Sequence, residues 1–135
     1  MPGVESKQIP IALPVIGKGE IQAVREVLES GWLTQGPRVA AFEERFAEMH
    51  KVKHAVAVTS CTTGMHLALH GMGIGPGDEV IVPSFTWVAT ANVVVQCGAK
   101  PVFIDVDRKT YNIDPEKIQR AFTERTRAVM AVHLF

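Results

Sequence analysis

The sequence predicts an α/β domain built on a largely parallel sheet. Three observations carry that prediction. Four apolar, β-branched runs (54–59, 79–82, 101–104 and 127–133) are spaced along the chain with helical patterns between them. The first run is continuously apolar, as suits a strand covered on both faces. Chemically distinctive clusters then follow the runs: Ser60–Thr63, Pro83–Trp87, Asp105–Asp107 and His133. Ligands of such sheets bind beyond the carboxyl ends of the strands, so four clusters on one edge say more than any one of them.

Taken in order, residues 1–8 form a loose tail. Ile9-Pro-Ile-Ala-Leu-Pro14 is apolar but interrupted by prolines, which fits an extended arm and not a central strand. Glu20–Ser30 has helical spacing, with Ile21, Val24, Val27 and Leu28 on one face and Glu20, Arg25, Glu26 and Glu29 opposite. Gly31 is placed to end that helix. Trp32-Leu-Thr-Gln-Gly-Pro37 is a turn-rich loop carrying an aromatic. Val39–His50 is a second amphipathic helix, with Val39, Phe42, Phe46 and Met49 on one side and Glu43-Glu44-Arg45 as a solvated face. The strand at 54–59 leads to a helix over about 63–73, the loop Gly73–Asp78 and the strand 79–82. Pro83-Ser84 turns, and Thr86 caps a helix running to about Cys97. Gly98-Ala-Lys then leads into the strand 101–104. Asp114-Pro115 supplies an N-cap and a proline at the first helical position, so a helix spans 115 to about 122. Arg127–His133 is the fourth strand. The chain stops on it without a closing helix, and the expectation is the N-terminal portion of a longer protein.

Composition excludes several classes of function. Acidic and basic residues balance at 14 each among 135 residues, giving zero formal charge. Electrostatic binding to nucleic acid or to an anionic membrane is therefore not expected. At 47% hydrophobic and 21% charged, the chain can bury a core. Two distant cysteines, Cys61 and Cys97, suggest neither a zinc set nor a disulfide framework. The N-terminus lacks the apolar core of a secretory signal, and no apolar run approaches membrane-spanning length. A soluble, cytoplasmic protein is expected.

The most informative stretch is His54–Leu69. A buried strand runs into Ser60-Cys61-Thr62-Thr63 and then into an apolar helix beginning Gly64-Met65. Small hydroxylic residues at a helix start can be an ordinary N-cap. They can equally be a phosphate cradle, because the free N–H groups and the helix dipole favour an anion. Other motifs fail. Gly71–Gly77 lacks a glycine at 76 and follows a helix, so it is a loop and not a dinucleotide fingerprint. His66 and His70 lack the glutamate of a zinc protease and are packing or surface residues. Asp105-Val-Asp107 resembles the start of a calcium loop, but Lys109 and Thr110 break it and leave turn formers.

Ser60-Cys-Thr-Thr-Gly-Met-His66 together with Gly77-Asp-Glu-Val-Ile-Val-Pro-Ser-Phe-Thr-Trp-Val-Ala-Thr90 resembles the pyridoxal-phosphate (PLP) sugar aminotransferases of the DegT/DnrJ/EryC1/StrS type. Matching segments flank this pair: Ser30–Pro37, Phe42-Glu43, Gly98–Asp107, Asn112–Pro115, Thr126–Ala128 and Val132–Leu134. They run in order from about residue 9 to the last residue. Within the family, the Thr-x-Gly-Met-His and Thr-Trp-Val patterns are nearest to those of the branch that makes UDP-4-amino-4-deoxy-L-arabinose.

The resemblance implies a fold-type I architecture, a mixed sheet with helices on both faces, of which this chain holds the first part. Residues 1–50 would be an N-terminal arm and helices, and 51–135 the first part of the PLP-binding large domain. The cofactor-binding positions would be Thr62 and Thr63, which cradle the phosphate, and Trp87, which stacks on the ring. Cys61 sits beside them where the family usually has Gly or Ala; it remains a compact side chain. The family's Schiff-base lysine has no counterpart here, because lysines 7, 18, 51, 53, 100, 109 and 117 all fall elsewhere. No catalytic residue is therefore assigned within the chain, and residues 1–135 alone are expected to be unstable or inactive. The activity implied is transfer of an amino group from an amino acid, expected to be glutamate, to a nucleotide-linked keto-sugar by a homodimer. The Trp32–Pro37 loop would contribute to substrate or dimer contacts, or simply to packing. Alternatives are a PLP-dependent sugar dehydratase of the same family, a catalytically inactive partner subunit, and a generic nucleotide-binding α/β domain.

Overall fold

The computed structural model describes residue 10 and residues 12–134. The tail expected at 1–8 lies outside the described residues, as do Ile9 and Ile11 of the proline-bounded arm. Two compact units are present, one up to Ala57 and one from Val58.

The first unit holds two helices, α1 (Lys18–Ser30) and α2 (Pro37–His50). Gly31 ends α1 in the left-handed conformation, at φ 70°, and Pro37 opens α2. Both ends follow from backbone chemistry, since glycine enters the left-handed region without penalty and proline lacks only an N–H that would be unpaired anyway. The apolar stripes fall where the spacing puts them, yet neither helix contains a buried residue. Ile21, Val24, Leu28, Phe42 and Met49 are all exposed. Glu43 departs from the solvated face expected for it. It is half-buried, and its Oε1 accepts the Ala57 amide at 2.8 Å.

The second unit runs α3 (Cys61–Gly71), β1 (Glu79–Pro83), α4 (Ala89–Gln96), β2 (Lys100–Ile104), α5 (Pro115–Ala121) and β3 (Thr126–Val129). Its sheet is parallel throughout, in the order β2-β1-β3. Glu79 to Pro83 pair in register with Lys100 to Ile104. On the other side the register slips between Glu79 and Val80, which leaves Arg127 as the extra residue of a bulge. All five residues of the central strand β1 are buried. Val80 and Val82 meet Leu69, Ile74, Val93, Val94 and Ala99 in the core, so α3 and α4 cover one face of the sheet.

Several expected boundaries move. No strand forms at 54–59 among the described residues. A ladder needs a partner, and none lies alongside; Val56 and Val58 stand exposed instead. α3 starts two residues early, because the Ser60 hydroxyl accepts the Thr63 amide and caps it there. Thr86 does not cap α4. Val88 occupies that position in a helical conformation, and the Thr86 hydroxyl lies 3.1 Å from that of Thr90. β3 stops at Val129, with the Met130 amide making the last bond, to Ile81 O. Asp114 caps α5 as expected, through the Glu116 amide.

Candidate functional site

The turn into α3 is ordered by its own hydroxyls. Ser60 Oγ accepts the Thr63 amide at 3.1 Å, and Ser60 O accepts the Gly64 amide at 3.0 Å. Thr63 Oγ1 is shared between Ser60 Oγ at 3.0 Å and Thr59 Oγ1 at 3.3 Å. That leaves the amides of Cys61 and Thr62 with no acceptor inside the helix, at the end where its dipole is positive. The Thr62 hydroxyl also makes no hydrogen bond among the described residues. Cys61 is exposed, so its thiol takes no room from the packed interior. Two N–H donors and one hydroxyl at a positive helix end are a donor set that fits a phosphate monoester.

Trp87 follows β1. Four contacts hold its segment: Ser84 N donates to Ile104 O at 2.8 Å, Phe85 meets Tyr111 with ring centroids 5.7 Å apart, Thr86 bonds Thr90, and Trp87 O accepts the Thr90 amide at 3.0 Å. The indole itself is 79% exposed, with an open face. α3 leads through a short turn into the start of β1 and packs against α4. Its N-terminus therefore lies toward the same end of the sheet as Trp87.

Asp105 and Asp107 close β2 as turn formers. Asp107 Oδ1 accepts the amides of Lys109 at 2.9 Å and Thr110 at 2.8 Å, and the Thr110 hydroxyl at 3.1 Å. These bonds, that from the Thr110 amide above all, hold its carboxyl below the ordinary aspartate value. Asp105 is lowered too, first by the Val106 amide and then by Lys117. His133 is exposed beyond β3. His66 and His70 face each other with ring centroids 6.4 Å apart, and among the described residues no three His, Cys, Asp or Glu side chains group to hold a metal. No helix among the described residues is long and apolar enough to cross a membrane.

Two features escaped the sequence. Glu79 is buried at 3% exposure, accepting Thr123 Oγ1 at 2.7 Å and Arg125 Nη2 at 2.8 Å. Glu79 was expected as the first residue of the strand 79–82, but nothing local marks a charged strand-end residue as buried. The Phe85–Tyr111 pair joins two loops distant in sequence, and no local pattern announces it. In the first unit, the loop after α1 lines a cavity of about 430 Å³ with Trp32, Leu33, Thr34 and Pro37. There the Trp32 indole donates to Gln35 O at 3.0 Å.

Comparison with known proteins places this geometry. The model of the DegT/DnrJ/EryC1/StrS aminotransferase family matches residues 14–135. The spore coat polysaccharide biosynthesis protein SpsC of Bacillus subtilis is 56% identical over 125 residues, which is 93% of this chain and 32% of that protein. Among solved structures, Spr1654 of Streptococcus pneumoniae, assigned as a sugar aminotransferase, superposes with a TM-score of 0.86 in its PMP and apo forms and 0.83 in its PLP form. It is 36% identical and covers 95% of this chain and 32% of its own. The 3-amino-5-hydroxybenzoic acid synthase is 43% identical, with a TM-score of 0.83 over 94% of this chain and 33% of its own. The chain thus spans about a third of the length of these relatives. The expected α/β class, as part of a PLP-aminotransferase fold, agrees with these superpositions; the arabinose branch is not singled out by them. The chain belongs to the DegT/DnrJ/EryC1/StrS aminotransferase family.

Proposed function

We propose that the whole protein is a PLP-dependent aminotransferase that passes an amino group from an amino acid, glutamate, to a keto-sugar carried on a nucleotide. The observation that supports this most is the start of α3, where two unclaimed amides and a free hydroxyl meet in a chain of this family. The amides of Cys61 and Thr62 and the hydroxyls of Thr62 and Thr63 would hold the phosphate. The exposed indole of Trp87 would lie flat on the pyridine ring and fix its plane by offset stacking. When bound, PLP supplies an electron sink for the transfer. The chain's contribution is grip and orientation, with residues 51–135 as the first part of the cofactor domain and residues 1–50 as arm and helices. The role of SpsC in polysaccharide biosynthesis supports a sugar acceptor. The open apolar faces of α1 and α2 support burial against further protein, in a cytoplasmic homodimer.

Whole protein incubated with PLP and then freed of excess should keep a visible absorbance band. A protein that retains none would overturn the reading. Trp87→Ala should weaken PLP retention by about tenfold, the upper worth of an aromatic pair, and Thr62→Ala by about fivefold, the worth of one hydrogen bond. Glutamate should be consumed in step with formation of an amino-sugar nucleotide. Transfer confined to a non-sugar ketone would instead point to chemistry like that named for the hydroxybenzoate synthase.

A further inference from the structure

Tyr111 is one of two non-glycine residues held at positive φ among the described residues, at 57°. A bulky side chain stays in that region only where its surroundings over-determine it, and such sites cluster at functional positions. Here the surroundings are a tight loop after β2. Asp107 O accepts the Tyr111 amide at 2.9 Å, Asp107 N donates to Asn112 O at 3.0 Å, and the Asp107 carboxylate gathers Lys109 and Thr110. Val106 and Ile113 close the loop through an antiparallel bridge. An extended or helical residue at 111 would send the side chain elsewhere. The left-handed turn instead brings the ring against Phe85, with planes 44° apart. Phe85 lies two residues before Trp87, in a segment also tied down at Ser84, at Thr86 and at the Trp87 carbonyl, which accepts the Thr90 amide.

We propose that Tyr111 is a positioning residue for the cofactor. Its ring, driven onto Phe85 by the constrained loop, sets the orientation of the segment that presents Trp87, and so the plane on which the cofactor ring is received. This rests on the reading that Trp87 stacks on the pyridine ring. The Asp107 loop has a use in this arrangement beyond turning the chain, because it stores the backbone constraint that aims the ring.

The test uses whole protein labelled with 5-fluorotryptophan, the Trp87 resonance being assigned with Trp87→Phe. Tyr111→Asn suits the left-handed backbone but removes the ring; Tyr111→Phe keeps the ring. In cofactor-free protein, Tyr111→Asn should shift or broaden the Trp87 resonance while Tyr111→Phe leaves it in place. In PLP titrations Tyr111→Asn should weaken binding about two- to tenfold, the range an aromatic pair is worth, and Tyr111→Phe should restore it. An unmoved Trp87 resonance in Tyr111→Asn overturns the proposal. A moved resonance with unaltered PLP affinity overturns the stacking role of Trp87, and with it the cofactor half of the proposal. Should Tyr111→Asn fail to fold, Phe85→Leu breaks the ring pair from the other side without touching the loop, and the same two outcomes apply.

Discussion

Glu79 sits at the foot of the central strand with its carboxylate charged and enclosed. The Thr123 hydroxyl is the largest influence holding it below the ordinary glutamate value of 4.5, ahead of the charges of Arg125 and Lys100, while desolvation pulls the other way. A carboxyl whose pKa is lowered by folding adds stability that is complete above its unfolded value and is lost as pH falls through the folded one. The thermal midpoint should therefore decline below pH 4.5, and Glu79→Gln should flatten that decline while lowering stability at neutral pH. A midpoint of Glu79→Gln that tracks the parent at every pH would refute the assignment. Ser60 offers a simpler case at the same scale. Its hydroxyl satisfies the Thr63 amide, so Ser60→Ala should cost about 1 kcal/mol in urea unfolding. A hydroxyl cap near Ser60–Thr63 was legible because it is local, the capping residue and its target being three positions apart, though the helix expected from about 63 begins at Cys61. The buried carboxylate was not, because its partners lie 44 and 46 residues away.

Among elements, those whose evidence is contained in their own sequence came through: α1 with its closing Gly31, α2 with its apolar spacing, α5 with its Asp114-Pro115 start and β1 with its unbroken apolar run, although α1 and α2 each begin two residues before the expected Glu20 and Val39. One stretch that depends on a neighbour did not, while β2 and β3, which pair with β1, formed near their expected places. His54–Val58 has the composition of a strand and no strand beside it among the described residues, and Val56 and Val58 are left exposed. The same limit applied at the candidate site, where the hydroxyl turn and Trp87 could be picked out but the Tyr111–Phe85 brace between loops could not. The turn between α4 and β2 gives a test of element packing. Gly98 has φ +79°, and a Cβ there would meet Pro76 Cγ at 3.1 Å and Cδ at 3.3 Å. Gly98→Ala should cost about 1–2 kcal/mol from the left-handed backbone alone, with the Pro76 contact adding to it, measured by denaturant unfolding. An unchanged midpoint would mean that the turn can relax.

At the scale of the molecule, the described chain leaves much of its apolar surface open: Ile21, Leu28, Phe42, Met49 and Val56 are all exposed. Patches of that kind mark places where more protein belongs. Residues 1–135 produced alone should bind a dye such as anilinonaphthalene sulfonate and associate with rising concentration, whereas the whole protein should do neither. A monomeric, dye-silent preparation of residues 1–135 would contradict this.

β1 also bears on how the chain is made. It is the middle strand of the β2-β1-β3 sheet, and Glu79 is anchored by Arg125, 46 residues later. On a ribosome adding roughly 5–20 residues each second, the Glu-Val-Ile-Val-Pro segment waits about 2–9 s before its second neighbour exists. Such a segment, apolar and β-prone, is the kind that nascent chains stick to one another by. It is bracketed by a charge at one end and a proline at the other. During synthesis those two residues would act as gatekeepers, so that Glu79, an anchor in the finished sheet, first serves to keep unfinished chains apart.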